Sequence, residues 1–369
     1  MQSFNHTDIR SLTIPDNCGK GVEMPYTLQT VGISQSLLGS FQTCRRKWLF
    51  EINRWRSPDT ARKTEYGSLV HEILDKIYTG FSTGKFKYGD LVDVIRVNND
   101  KYKFPPVFRA DEVELHKAKA QAVLECYINW YKKDFTEMRF EAVEESFTVK
   151  FQDWILRGKK DGRYRDKNNK PWHIEHKNYS KINESIMMLV LTFDLQNLLY
   201  MLADWIEYQR YLMGVKYNIL RNPEVRKVNT PFELYNYVKE NITKDPKYYF
   251  IRYEIPYTPG QLDAFSKELY FKLKDIDDII NSPKNEQFLR CYKNEKGCSA
   301  PYACDFVNAC STCSMRGYVQ KPVLFEELVS ETNNQPNNQN TRGAIKIAPI
   351  AKQQSAIPQR RAIKILSVH

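Results

Sequence analysis

The stretch Trp172-His173-Ile174-Glu175-His176-Lys177 reads as a β-strand that carries chemistry. Successive strand side chains point to opposite faces, so His173, Glu175 and Lys177 share one face and Trp172, Ile174 and His176 the other. Upstream, Gly158-Lys159-Lys160-Asp161-Gly162 lies in a second run rich in β-branched and aromatic residues, 154–165. Lys167-Asn168-Asn169-Lys170 between the two reads as a hairpin turn. Such a hairpin brings Asp161 across to Glu175. Two carboxylates converging beside an ammonium suit a hard divalent cation, Mg2+ or Mn2+, with Lys177 placed to position and help activate a water. The same residues also suit a solvated hairpin surface, where Glu–Lys pairs are common.

Outward from the hairpin, 142–151 reads as a further strand and 171–178 as the chemical one. Before them, Ser34 is a good N-cap for a helix running through Leu37, Leu38, Phe41, Trp48 and Leu49. A second helix is expected over about 66–78, and residues 80–110 look loop-like or weakly structured. A long helix is expected over 111–137, with Ala118, Ala122, Cys126 and Trp130. After the hairpin come a helix over about 185–213, strands near 215–221 and 248–256, and a helix over 261–281 following Pro259-Gly260. Helices, a small mixed sheet, then helices again give an α/β core. The expected divisions are an irregular lead-in (1–33), a helical region (34–140), the core (141–290), a cysteine-rich region (291–332) and a basic tail (333–369). The tail opens with Asn333-Asn334-Gln335-Pro336-Asn337-Asn338-Gln339-Asn340, a linker composition expected to be disordered. Within it Arg342-Gly-Ala-Ile-Lys-Ile347 is echoed by Arg361-Ala-Ile-Lys-Ile365, as low-complexity drift or a short docking element.

The chain has 369 residues, 42% hydrophobic and 27% charged, which is too apolar for a disordered protein. No run approaches the ~20 consecutive apolar residues of a membrane span, and Met1 to Lys20 lacks the apolar core of a secretory signal. A cytoplasmic location without a membrane partner is the expectation. Net charge is +11, from 55 basic and 44 acidic residues. The tail carries six of the basic residues and no Asp or Glu, leaving +5 on residues 1–332. This balance suits a polyanion such as nucleic acid, or simply solubility. No Gly-x4-Gly-Lys-Ser/Thr loop is present, so helicase activity would have to come from a partner.

Two further elements bear on the hairpin. Gly67-Ser-Leu-Val-His71 puts a histidine on a short amphipathic helix, and Gln196-Asn-Leu-Leu-Tyr200 puts Gln196 and Tyr200 on one helix face at i and i+4. Taken with Ser34-Gln-Ser-Leu-Leu-Gly-Ser-Phe41 and Cys44-Arg45-Arg46-Lys47, the order Gly67-x3-His71, Gly158-x2-Asp161, Glu175-x-Lys177, Gln196-x3-Tyr200 resembles the RecB-like branch of the PD-(D/E)XK nucleases. That branch includes nuclease domains of recombination helicase–nucleases and CRISPR-adaptation exonucleases, and the likeness covers about residues 34–313. It implies a restriction-endonuclease-like core. His71, Asp161 and Glu175 would be metal ligands, with Ile174 supplying a backbone carbonyl. Lys177 would be the catalytic lysine, and Gln196 and Tyr200 would contact DNA and support the site. Glu145 matches an additional upstream acidic position. The residue before Asp161 is Lys160, not the proline of the family name.

Eight cysteines in a chain expected to stay in a reducing compartment do not read as a disulfide framework. Five of them, Cys291, Cys298, Cys304, Cys310 and Cys313, fall within 23 residues, which points to metal. Four thiolates are what a four-iron, four-sulfur (4Fe-4S) cluster requires. The iron–sulfur subset of the resembled family uses one cysteine before the core and three after it, which implies Cys44, Cys298, Cys304 and Cys310 here, with Cys291 and Cys313 as substitutes. Zinc is the rival, and only Cys310-x2-Cys313 has the close spacing it favours. Cys18 and Cys126 read as plain thiols, Cys126 buried on its helix.

The expectation is a metal-dependent DNA nuclease, an exonuclease on single strands or ends, in recombination or repair alongside a recombinase or helicase. Arg45, Arg46 and Lys47 would follow the DNA backbone. The alternatives are a non-catalytic iron–sulfur DNA-binding or assembly protein and a zinc-stabilised interaction protein.

Overall fold

Ser34 caps the first helix as its residue type predicts, its Oγ accepting the Leu37 N–H at 3.4 Å. The helix α1 (Gln35–Thr43) then stops at Cys44, whose extended backbone (φ −161°) separates it from α2 (Arg45–Ile52). The expected single helix is therefore two, and the break presents Cys44 at a corner. The computed structural model describes residues 26–224, 230–299 and 303–325. Most of the expected lead-in, the basic tail with its repeat, and Cys18 lie outside the described residues.

The remaining N-terminal helices are α3 (Thr60–Ser82), α4 (Leu91–Lys101), α5 (Ala110–Trp130) and the short α6 (Asp134–Glu137). Residues 80–110 thus contain a helix where a loop was expected: Leu91, Val94 and Ile95 form a short apolar stripe that is buried against α3 and α5. The predicted 111–137 helix ends at Trp130.

The strands are β1 (Ile33–Ser34), β2 (Trp55–Arg56), β3 (Arg139–Phe151), β4 (Trp154–Arg165), β5 (Pro171–Tyr179), β6 (Gly214–Arg221), β7 (Phe250–Pro256) and β8 (Val319–Gln320). The main sheet runs β1-β4-β5-β6-β7, with β3 also paired to β4. The β3–β4 and β4–β5 pairs are antiparallel, β5–β6 is parallel, and β6–β7 is antiparallel. This is the mixed α/β core expected. A separate β2–β8 pair ties residues 55–56 to 319–320.

Between β5 and β6 the expected 185–213 helix is broken into α7 (Glu184–Thr192) and α8 (Leu195–Tyr208). Asp194 makes the break by capping α8, its Oδ1 accepting the Asn197 N–H at 2.9 Å. The stretch Glu184–Tyr208 has mean hydropathy 1.6 and the length of a membrane span, but α8 is largely buried in the core. An unanticipated helix, α9 (Pro231–Lys244), and the short α10 (Pro246–Tyr249) precede β7. The long α11 (Pro259–Ile280), α12 (Lys284–Arg290) and α13 (Val307–Thr312) complete the order.

The two largest apolar cores among the described residues pack against the sheet. One joins α1, α8 and α11 to β3 and β4 through Phe41, Phe147, Leu156, Leu199 and Leu269. The other joins α3, α4, α5 and α9 to β6 and β7 through Ile73, Ile95, Val123 and Leu220.

Candidate active site

The ladder between β4 and β5 ends at Gly162 opposite Ile174. One residue further, at Asp161 and Glu175, the strands part, and β4 takes β1 as its next partner at Leu156 and Arg157. Backbone that leaves a ladder needs other partners: the His176 N–H donates to Asp161 Oδ2 at 2.7 Å. The parting opens a cleft of about 1790 Å³, whose walls include Asp161, Glu175, Lys177, His71, Gln196 and Tyr200. The five motifs found separately in the sequence thus meet in one place.

Contacts follow the alternation read from the sequence. His173, Glu175 and Lys177 meet α8, while the His176 ring stacks on Tyr78 of α3. Lys177 Nζ donates to Glu175 Oε1 at 2.7 Å and to Gln196 Oε1 at 2.6 Å. Gln196 Nε2 donates to the same Glu175 Oε1 at 2.7 Å and approaches the Tyr200 hydroxyl at 3.4 Å. His71 Nδ1 stands 3.7 Å from Asp161 Oδ2.

Burial dominates the electrostatics. It pushes the Glu175 carboxyl up to about 7, with the Asp161 charge adding to the effect. Asp161 is pushed up to about 7 by burial and then by Glu144. Burial alone would lower the Lys177 ammonium, but the Glu175 charge holds it above the ordinary lysine range. Burial depresses His71, against the pull of Glu175. Two carboxylates that resist ionising together form a site a divalent cation would relieve. Their hard oxygens and a neutral imidazole fit Mg2+ or Mn2+. Among the described residues no three such donors already stand in ligand geometry.

Glu144, which the sequence reading passed over, belongs here. Val143 pairs with Gly162 and Glu145 with Lys160, which sets Glu144 opposite Asp161. It lines the cleft with a left-handed backbone (φ 51°), a strained conformation for a glutamate, and pairs with Lys159 at 2.7 Å. Period-two counting could not separate it from Glu145, because the distortion at Glu144 breaks the alternation. Glu145 points elsewhere, accepting from Arg163 at 2.8 Å and from the Tyr208 hydroxyl at 3.0 Å. Ile174 is buried among Met138, Tyr164 and Trp172 and is not a wall of the cleft, whereas His176 is. Arg45 is paired with Asp275, and Arg46 donates to the carbonyls of Cys291 (2.7 Å) and Phe288 (3.0 Å). Both arginines are engaged in tertiary contacts, and Lys47 alone of that trio lines the cleft.

The cysteine-rich segment folds back on the α1–α2 corner. Asn294 Nδ2 donates to the Thr43 carbonyl at 2.7 Å, and a Cβ on Gly297 would meet that oxygen at 3.1 Å. Cys44, Cys298, Cys304 and Cys310 are free thiols; burial raises the pKa values of Cys304 and Cys310, and charge on nearby Cys44 and Cys298 adds to the effect. The Phe306 N–H lies 3.5 Å from Cys304 Sγ. Cys304 and Cys310 sit in a half-apolar setting beside an amide donor, but among the described residues no three cysteines stand in ligand geometry. Cys126 is half-buried, where a buried thiol was expected. Cys313 is disulfide-bonded, which departs from the expectation of free thiols and removes the one close pair that favoured zinc. Cys291 is fully buried in the apolar core.

A comparison with curated proteins finds no match. The family model of the PD-(D/E)XK nuclease superfamily matches residues 32–315, a span that contains every strand of the main sheet and the whole of the cleft's acidic centre. With Asp161, Glu175 and Lys177 gathered where two strands part, the chain belongs to the PD-(D/E)XK nuclease superfamily.

Proposed function

We propose that the chain is a metal-dependent DNA exonuclease of the RecB-like branch, acting on single strands or ends in recombination or repair. The observation that supports it most is the convergence of Asp161, Glu175 and Lys177 in a cleft large enough for a nucleic-acid strand. Asp161 and Glu175, with His71 and Glu144 beside them, would hold Mg2+ or Mn2+. The ion supplies charge that polarises the scissile phosphate and makes a water more acidic. Lys177 stays protonated beside Glu175, so its ammonium can orient the attacking water and offset charge developing on the phosphate. Gln196 fixes that ammonium by accepting from it while donating to Glu175, and Tyr200 buttresses Gln196. A 4Fe-4S cluster on Cys44, Cys298, Cys304 and Cys310 would staple the α1–α2 corner to the C-terminal segment, adding stability because the unfolded chain cannot hold it.

End-labelled single- and double-stranded DNA, incubated with the pure chain with and without Mn2+, tests the reading. Cleavage that needs the metal and is lost in Asp161→Asn and Lys177→Met, with folding retained, is expected. Full cleavage by both variants overturns the site assignment.

A further inference from the structure

Three polar side chains form one rung across the sheet. His176 on β5 is in register with Asn218 on β6, and Asn218 with Arg252 on β7. Directly opposite residues share a face, here the one packed on Tyr78 of α3 and Tyr127 of α5. Tyr78, Tyr127 and Asn218 are all fully buried. Polar groups are costly in such a place unless hydrogen-bonded, and apolar residues often stabilise as well or better. The rung therefore calls for a reason besides stability.

Its bonds admit a single arrangement of hydrogens. Arg252 has donors only, so Asn218 accepts through Oδ1 from Arg252 Nε at 2.9 Å. The amide nitrogen then faces the other way, donating to His176 Nδ1 at 2.8 Å and to the Tyr127 hydroxyl at 2.9 Å. Arg252 also donates to that hydroxyl, at 3.1 Å. Tyr127 passes its own hydrogen to Tyr78 at 2.6 Å, and Tyr78 donates to Asp134 Oδ2 at 3.4 Å. Asp134 closes the circuit by accepting from Arg252 at 2.8 Å. A ring nitrogen that accepts bears no hydrogen, so the His176 ring carries its hydrogen on Nε2.

The clamped residue stands between two of the metal ligands proposed above. Its peptide N–H is the donor to Asp161 Oδ2 at 2.7 Å. Its ring meets the His71 ring edge-on, with centroids 6.1 Å apart, and His71 Nδ1 is 3.7 Å from the same Asp161 oxygen. The β4 ladder has ended by Ile174, so β6 holds the strand here while the side-chain clamp fixes the ring against His71.

We propose that Asn218, held by Arg252 and Asp134, is a positioning residue for the metal centre: by clamping His176 Nδ1 it fixes the ring against which His71 stands, and so keeps His71 and Asp161 facing one ion. This rests on the nuclease reading above and extends its machinery to a β6 residue that is not a wall of the cleft.

Calorimetric titration of the metal-free full chain with Mn2+ alone is the test, with urea unfolding to show that each variant is folded. His176→Phe keeps a ring to stack on Tyr78 but has no acceptor, and Asn218→Leu removes the donor. Each is expected to weaken Mn2+ binding by roughly 10- to 100-fold, the usual loss when an outer partner of a metal ligand is removed. His176→Asn puts its amide oxygen where Nδ1 stood and should bind Mn2+ as wild type does. Unchanged affinity in folded His176→Phe and Asn218→Leu overturns the proposal. So does an equal loss in His176→Asn, which would make the ring itself the group that matters. Nitrogen-15 spectra of histidine-labelled wild type give a reading that needs no folded variant: the His176 hydrogen is expected on Nε2, and a hydrogen on Nδ1 overturns the clamp. If folded wild type binds no Mn2+ and Asp161→Asn changes nothing, the nuclease reading itself is overturned.

Discussion

On α8, Gln196, Tyr200 and Asp204 form one stripe at i, i+4 and i+8; on β5, His173, Glu175 and Lys177 form the stripe that meets it. Gln196 holds Glu175 and Lys177 at one end. At the other, fully buried Asp204 contacts His173 Nε2, accepts from Lys160 Nζ at 2.7 Å and from Arg163 at 3.3 Å. Burial would raise the Asp204 carboxyl, but the His173 and Lys160 charges hold it below the usual range. This ionic group acts as a register lock: it sets how far along β5 Gln196 sits. Asp204→Leu strands the Lys160 ammonium, 1% exposed, among apolar groups. Breaking a buried pair in this way costs about 3–5 kcal/mol. The value expected is the lower end, because Glu145 remains 3.4 Å from Lys160 and Arg163 keeps Glu145 at 2.8 Å. Replacing the set with Lys160→Met, His173→Leu and Asp204→Leu should return most of that stability, since apolar substitutes for buried ions are often neutral or better. It should not return full cleavage, because the polar register of α8 on β5 is then held by Gln196 without its second, ionic fixing point. Urea unfolding and Mn2+-dependent cleavage, measured on both variants, separate the two effects. A triple variant with wild-type stability and wild-type cleavage refutes the lock; so does Asp204→Leu with undiminished stability.

In metal-free protein the folded pKa values of Asp161 and Glu175 lie near 7, above those of the unfolded chain. Ionising them therefore costs stability, which is regained as pH falls from about 7 toward 4. Added Mg2+ or Mn2+ should raise the melting temperature more at pH 8 than at pH 6, and Asp161→Asn with Glu175→Gln should remove the difference; a larger metal effect at pH 6 contradicts the assignment. Gly158→Ala places a Cβ 2.6 Å from the Phe147 ring and 2.8 Å from the Tyr200 ring. Overpacking of this kind costs about 1–3 kcal/mol in urea unfolding, and activity should fall with it as Tyr200 is displaced; an unchanged unfolding midpoint would show that both rings yield freely. Cys44→Ser, Cys298→Ser, Cys304→Ser and Cys310→Ser should each bleach anaerobically purified protein, and full iron content in Cys44→Ser rules out the long-range staple.

Local rules account for what could be read from the sequence. Ser34 as a cap, the hairpin at Lys167–Lys170, the alternation along 172–177 and the Gln196–Tyr200 spacing depend on neighbours in the chain, and the structure keeps each of them. The order of the motifs named the family before any coordinate. Other features depend on groups distant in sequence. That Arg45 and Arg46 bond to Asp275 and the Cys291 carbonyl, 230 and 245 residues away, has no signal in their own neighbourhood. Glu144 and Glu145 are interchangeable on paper, and the left-handed backbone at Glu144 decides which faces the cleft. The helix over 91–101 has only a short apolar stripe, and packing against α3 and α5 decides its state. Asp204 gives no signal in one dimension, because it lies on a helix and its partners sit on two strands, β4 and β5. Periodicity and capping are short-range and legible in sequence; the pairing of buried charges and the point where two strands part are long-range, and only the assembled fold fixes them.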